Sequence, residues 1–184
     1  ATMLNAWTLN RRAAWQGSLR GEIPDLGWVA ELLGKAWRSG GRFNGELKLG
    51  GTPEHPLASG QFRGEELALT LPEQGMRLTN GVLDARLDDN LLRVSQLAFD
   101  SPLQPAPPTL QREAADVLAE KAARPGRLEI AGQMRVERAS GSSFYGRASD
   151  GATLDLRLDR VGVYQLPGQW MLVSGDGNIS LIKD

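Results

Sequence analysis

Residues 41–101 consist of short runs in which apolar and polar residues alternate, and glycine-rich turns separate these runs. In one run Phe43, Gly45, Leu47 and Leu49 occupy every second position. The same spacing recurs at Leu67, Leu69 and Leu71 and again at Leu83, Ala85 and Leu87. Because successive side chains of a strand point to opposite faces, this spacing predicts strands that each carry one apolar face. The function depends on what covers those faces.

The alternation continues beyond this segment and predicts nine or ten strands in all. The predicted strands cover Ala14–Ile23, 42–50, 57–64, 66–72, 76–87, 91–99, 128–136, 154–158, 170–174 and 179–181. Asp88-Asp89-Asn90 predicts a hairpin turn, and Gly175-Asp176-Gly177-Asn178 predicts another. The 22 glycines and 10 prolines agree with a sheet-rich chain that contains many turns.

Helical spacing is confined to two short segments. Asp25 is placed to cap a helix within 25–39, which carries Trp28 and Trp37. Four prolines within 102–108 predict an exposed connection, and Thr109 can cap a second helix at 110–124. Two short helices cannot cover so many strands. The sheet must therefore pack on a second sheet, close into a barrel, or curl on itself and leave a groove.

Composition argues against several classes of function. A formal net charge of -1 and 6% aromatic residues argue against a nucleic-acid surface. There is no cysteine, and the single histidine, His55, is too few for a catalytic triad or a multi-histidine metal site. Ser142, Ser143 and Tyr145 lie in a loop that lacks a G-x-S-x-G frame. We therefore predict that the protein is not an enzyme and needs no cofactor.

The chain has no apolar run of the roughly 20 residues that span a bilayer, and its first residues lack the pattern of a signal peptide. We expect any membrane anchor or export signal to lie outside these residues.

Several short motifs follow one another in an order that resembles one known family. The run Gly45–Gly50 precedes Gly51-Thr52-x-x-x-Pro56-x-x-x-Gly60, then Leu67-Ala68-Leu69-x-Leu71-Pro72, then Gly81-x-Leu83-x-Ala85-x-Leu87. Gly21-x-Ile23-Pro24-Asp25-Leu26 leads into them, and Leu154–Arg157 and Val173–Gly175 close the chain. This order resembles the repeat of the TamB family of envelope proteins, within the wider AsmA-like, bridge-type lipid-transfer group.

The resemblance implies a mainly β fold, namely an elongated, curled antiparallel sheet with a hydrophobic groove and two short helices. It implies one fragment of a larger protein that crosses the periplasm of a Gram-negative bacterium from an inner-membrane anchor. Residues 1–101 would form a first groove segment with the helix 25–39, residues 102–126 a proline-rich linker and helix, and residues 127–184 a second groove segment. The implied partners are phospholipid, an outer-membrane barrel protein of the TamA kind and nascent outer-membrane proteins.

The candidate groove-lining residues are the apolar residues on the best alternating faces. They are Phe43, Leu47, Leu49, Phe62, Leu67, Leu69, Leu83, Leu87, Val94, Leu128, Ile130, Met134, Val136, Leu154, Leu156 and Leu158. The pattern alone favours packing of these residues against one another in a sandwich core, whereas the resemblance implies that they shelter acyl chains. An alternative function is a chaperone-like module whose edge strands template outer-membrane β-strands. Exposed edges also predict that the fragment associates with itself.

Overall fold

A computed structural model describes residues 14–33, 36–52, 56–89, 91–102, 115–116, 124–137, 147–166 and 169–181. Its strands are β1 (Gly17–Ile23), β2 (Arg38–Gly51), β3 (Pro56–Leu71), β4 (Met76–Asp88), β5 (Leu91–Ser101), β6 (Gly126–Glu137), β7 (Arg147–Leu166) and β8 (Gln169–Leu181). A helix α1 (Val29–Leu33) precedes β2, and a 3-10 turn (Pro72–Gln74) precedes β4. All eight strands form one sheet in sequence order, and each pairs antiparallel with the next. The sheet is not closed, because β1 and β8 form its two edges.

This architecture confirms the prediction of a mainly β chain with very few helices, but it has eight strands because two pairs of predicted strands are continuous. The segments 57–64 and 66–72 both belong to β3. The segments 170–174 and 179–181 both belong to β8, so the predicted turn at 175–178 is wrong. Gly175 and Gly177 stay extended because they pair in register with Leu158 and Leu156. The predicted hairpin at Asp88-Asp89-Asn90 is confirmed, since the strands pair up to that turn.

A bulge explains why β3 resembles two strands in the sequence. Phe62 and Gly64 occupy even positions, whereas Leu67 and Leu69 occupy odd ones, and the register with β4 shifts between the two sets. Glu66 has a left-handed φ of 52° at this point. Because one extra residue reverses the direction of the side chains that follow it, the bulge returns Leu67 and Leu69 to the face that Phe62 occupies.

Bulges of the same kind interrupt three other strands. The register shifts around Asn80 in β4, Ser95 in β5 and Arg160 in β7. Asn80 and Arg160 also have left-handed φ values, 51° and 49°. In each strand the apolar positions change between odd and even numbering across the bulge, so that a single face stays apolar along the whole strand.

The first helix is shorter than predicted. The described helix within 25–39 covers only Val29–Leu33, and β2 already begins at Arg38. Ser39 ties the helix to β2, because its Oγ accepts a hydrogen bond from Ala30 N at 2.8 Å and donates one to Leu26 O at 2.7 Å. Of the predicted helix at 110–124, the structure describes residues 115 and 116, which are helical, and residue 124, which is not. The other residues of this segment lie outside the described residues.

Strand β7 contacts β4, β5 and the 3-10 turn as well as its paired neighbours β6 and β8. At this end of the sheet Gly162 N donates a hydrogen bond of 2.9 Å to Oγ of Ser101, which is fully buried. Leu78 and Val161 are the largest fully buried apolar side chains, and Gln165 is also buried. We call Leu78, Ser101, Val161 and Gln165 the end cluster. Elsewhere in the described part of the chain, the buried apolar side chains are those of alanines.

Gly75 controls how closely the 3-10 turn approaches β7 in the end cluster. It has a φ of 65°, and a Cβ atom there would lie 2.2 Å from the carbonyl oxygen of Gln165. We expect Gly75→Ala to lower the free energy of unfolding by about 2 kcal/mol, measured by urea denaturation. The control is Gly177→Ala, where a Cβ atom meets nothing within 4 Å, and we expect a change within about 0.5 kcal/mol. Equal losses in the two variants would contradict the role of Gly75.

Candidate functional site

The cross-strand registers align apolar side chains into rows that cross the sheet. One row consists of Ile23, Phe43, Gly64, Leu83, Leu97, Ile130, Leu156 and Gly177. The next consists of Gly21, Gly45, Phe62, Ala85, Val94, Gly132, Leu154 and Ile179. A third crosses the first six strands at Leu19, Leu47, Gly60, Leu87, Leu92 and Met134. Residues paired across an antiparallel sheet share a face, so these rows form one surface, which we call the apolar face.

The opposite surface, which we call the polar face, carries rows of charged and polar residues. One of them crosses all eight strands at Arg20, Glu46, Gln61, Arg86, Arg93, Gln133, Thr153 and Ser180. The sheet is therefore amphipathic from edge to edge. Antiparallel sheets commonly have one hydrated polar face and one apolar face, and this sheet has both.

The predicted lining residues are neither enclosed nor fully exposed. The half-buried ones are Phe43, Leu47, Leu49, Phe62, Leu67, Leu69, Leu83, Leu87, Val94, Leu128, Ile130, Leu154, Leu156 and Leu158. Met134 is 37% exposed. Val136 pairs with Ala148 through the backbone, and its side chain lies outside the described residues. A sandwich core would bury such residues, whereas here they keep one side accessible.

Glycines show where the apolar face is filled and where it is open. In the middle of the sheet, a Cβ atom on Gly45 would lie 2.9 Å from the Phe62 ring, and one on Gly81 would lie 2.4 Å from the Phe99 ring. At the edges, a Cβ atom on Gly21, Gly175 or Gly177 would meet nothing within 4 Å. Neighbouring side chains therefore fill the central glycine positions, and nothing among the described residues fills the outer ones.

No described second layer lies across the apolar face. Beyond the pairing of neighbouring strands, the main contacts of the sheet are those of α1 with β2 and those at the end cluster. Helix α1 and the turn before it cover little, because Leu32 in the helix is 75% exposed and Trp28 in the turn is 49% exposed. Within the described part of the chain, the apolar face is thus covered at the end cluster and accessible elsewhere.

The list of candidate residues missed several members of the apolar face. They include Ile23, Leu92, Leu97, Phe99 and Ile179. In β5, Leu92 and Val94 are even-numbered whereas Leu97 and Phe99 are odd-numbered, so a single alternating frame captures only one pair. The change from even to odd numbering between Val94 and Leu97 is the sequence signal that identifies both pairs as members of one face. It marks the bulge at Ser95.

Ion pairs organise parts of the polar face. Arg20 Nη2 lies 3.2 Å from Glu46 Oε2, and Lys48 Nζ lies 3.6 Å from Glu46 Oε1. The hydrogen bond from Arg20 and, next, the charge of Lys48 lower the pKa of Glu46 below its usual value. Near the other edge, the hydrogen bond from Arg160 lowers the pKa of Asp159. The pair of Arg20 with Glu46 is exposed and joins β1 to β2, so it favours one register more than it adds stability. Arg160 and Asp159 are adjacent in β7, so their pair does not bear on register.

Two open depressions that are lined by described residues lie mainly on the polar face, with volumes of about 700 and 690 Å³. The lining of the first includes Glu129, Asp155, Arg157, Asp176 and Asn178, and that of the second includes Ser18, Lys48, Ser59, Asp88 and Asp89. Among the described residues, no three His, Cys, Asp or Glu side chains are grouped to hold a metal ion. His55, Ser142, Ser143 and Tyr145 lie outside the described residues.

The pKa of Glu46 provides a test of the register between β1 and β2. Arg20→Gln removes the largest cause of the depression, so we expect the pKa of Glu46 to rise toward its usual value in an NMR titration of its carboxyl carbon. A depressed carboxyl pKa contributes stability above the unfolded-state pKa, and this contribution is lost as the pH falls through the folded-state pKa. The control Lys48→Gln should raise the pKa less. A larger rise in the control would mean that Arg20 does not pair with Glu46.

No described helix has the length and apolar content needed to traverse a bilayer. No protein-family model, curated protein or solved structure matches this chain. The amphipathic sheet is therefore the feature from which a function can be argued.

Proposed function

We propose that the apolar face shelters the acyl chains of phospholipids. The observation that carries this proposal is the continuity of the apolar rows from β1 to β8 together with the absence of a described layer over most of them. A curled sheet with such a face would form a groove for lipid tails. The polar face would then be the outer, hydrated surface of that groove.

The energetics support acyl chains as cargo. Each methylene removed from water contributes about 0.8 kcal/mol, so a tail that is only partly sheltered is still held strongly. The apolar face offers Leu, Ile, Val and Phe side chains and no directional polar group, so a tail can bind at many positions along it. Such binding has no requirement for a catalytic residue.

The resemblance to the TamB family supplies the cellular setting of the proposal. In that setting the chain is one segment of an inner-membrane-anchored protein that crosses the periplasm and carries phospholipid between the two membranes. An outer-membrane barrel protein of the TamA kind would be its partner at the far end. The proposal assigns no enzymatic activity to this segment.

Lipid retention by the purified protein tests the proposal. We expect phospholipid to co-purify with the wild-type chain from bacteria and to be detected by mass spectrometry. Leu156→Glu places a charge on the apolar face, on the strand next to the edge strand β8, and should reduce the bound lipid by more than about tenfold, since a carboxylate beside a tail must be desolvated. Thr153→Glu, on the polar face of the same strand, is the matched control and should retain the lipid.

A second variant separates loss of lipid from loss of folding. Gly177→Glu adds a charge to the apolar face at a position where a Cβ atom meets nothing within 4 Å, so it removes no packing contact. We expect it to keep the circular dichroism spectrum of the wild type and to lose lipid. Folded Leu156→Glu and Gly177→Glu proteins that retain wild-type amounts of lipid would exclude the proposal.

The open sheet favours a second candidate function. Strands β1 and β8 each have one edge without a partner strand in the described sheet, and such edges can pair with an incoming strand. In this alternative, the chain templates nascent outer-membrane β-strands. The same edges also favour pairing between two copies of the fragment.

Site-specific photo-crosslinking distinguishes the two functions. A crosslinker at Ser180, on the edge strand β8, should capture unfolded barrel proteins if the edge is a template. A crosslinker at Leu154, on the apolar face, should capture phospholipid if the face is a lipid site. We expect lipid adducts at Leu154 to predominate, and protein adducts confined to Ser180 would favour the template instead.

A further inference from the structure

Four arginines form a diagonal band across the centre of the polar face. They are Arg63 in β3, Arg86 in β4, Arg93 in β5 and Arg135 in β6, and all four are exposed. Arg86 pairs directly with Arg93 across the two strands, whereas Arg63 and Arg135 are their diagonal neighbours. With adjacent strands about 4.8 Å apart, the band extends roughly 14 Å across the sheet.

The band lacks ion pairs with described residues, as do Arg38 and Arg77, whereas several other arginines of the polar face have them. Within the described residues, no carboxylate lies within 4.0 Å of any of the four guanidinium groups, whereas Arg20, Arg127 and Arg157 each have a carboxylate partner within that distance. The acidic side chains nearest in register include Asp84, which is opposite Arg63, Asp88, two residues beyond Arg86 on β4, and Glu65, two residues beyond Arg63 on β3. Glu65 lies 3.7 Å from Arg42 instead, so none of these carboxylates forms an ion pair with the band.

The pairing of Arg86 with Arg93 is unfavourable in the isolated sheet. Like charges directly opposite each other in an antiparallel pair destabilise it. A local conflict of this kind is expected where a surface serves binding rather than folding. A bound anion would relieve the repulsion between the two guanidinium groups.

We propose that this arginine band binds the phosphate groups of an anionic phospholipid bilayer. Guanidinium groups bind phosphate oxygens through paired hydrogen bonds. None of the four arginines lines either of the two depressions, so they present their charges on an open surface suited to an extended array of phosphates. Nucleic acid fits less well, because the register places Phe43, Phe62 and Phe99 on the apolar face, away from the band, and none of the described residues paired with the four arginines is aromatic.

This inference goes beyond the proposed function, because it assigns a role to the face opposite the lipid-sheltering one. The two roles can fail separately. A charge on the apolar face should affect retained acyl chains, whereas neutralising the band should affect only attraction to anionic surfaces, which weakens with salt.

Vesicle co-sedimentation of the full 184-residue chain tests the proposal. The vesicles contain phosphatidylcholine alone or an equal mixture with phosphatidylglycerol. We expect preferential, salt-sensitive binding to the anionic vesicles. Arg86→Gln with Arg93→Gln should weaken this binding about 25-fold, since each arginine near an anionic surface contributes about fivefold. The matched control, Lys48→Gln with Arg157→Gln, changes the net charge equally and should weaken it less than about threefold.

Arg93→Glu distinguishes loss of vesicle binding from loss of folding. It places a carboxylate opposite Arg86, so we expect the Tm to rise by about 1–4 °C while anionic-vesicle binding is lost. Three results would overturn the proposal: equal binding to neutral and anionic vesicles, equal weakening by the two double variants, or wild-type vesicle binding by Arg93→Glu. Binding of polyglutamate that depends on Arg86 and Arg93, without vesicle binding, would instead identify an acidic protein segment as the partner.

Discussion

The continuity of the apolar face depends on the bulges in β3, β4, β5 and β7. A strand alternates its side chains with a period of two, so a one-residue change of frame without a bulge would move every later leucine to the polar face. Left-handed backbone at Glu66, Asn80 and Arg160 costs on the order of 1 kcal/mol or more at each residue. Keeping the apolar residues of a whole strand on one side offsets that cost. The long strands of this sheet therefore keep one apolar face by means of bulges rather than by unbroken alternation.

A sheet built in this way has little conventional core. Among the described residues, large apolar side chains are fully buried only in the end cluster, at Leu78 and Val161. Stability must then come mainly from backbone ladders and cross-strand pairs such as Phe43 and Phe62, whose stacked rings have centroids 6.2 Å apart. Each pair of this kind contributes roughly 0.2–1 kcal/mol. Because these contributions are small and spread over the sheet, the apolar face can be both the support of the fold and a surface available to a ligand.

Local periodicity predicted the strands wherever one frame persists, as in Phe43 to Leu49 and Leu128 to Met134. It divided each of the strands β3 and β8 into two predicted strands, at Glu65-Glu66 and at Gly175–Asn178. The reason is that adjacent polar residues and glycines occur in turns, in bulges and in continuous strands alike. The half-buried state of Leu156 could not be predicted at all. It depends on whether a second layer lies above the sheet, and that is decided by distant parts of the chain rather than by the alternation around Leu156.

The sequence-order arrangement of the strands has a kinetic consequence. Strands that are adjacent in the sheet are also consecutive along the chain, so the sheet can grow from any hairpin without first pairing strands that are distant in sequence. The exception is the union of β5 with β6 across residues 102–125. Closing this connection costs roughly 2 kcal/mol more entropy than closing the two-residue turn between β4 and β5. We therefore expect residues 14–101 and 126–181 to assemble as two folding units, with the hydrogen bond between Gly162 and Ser101 forming only when the two units join.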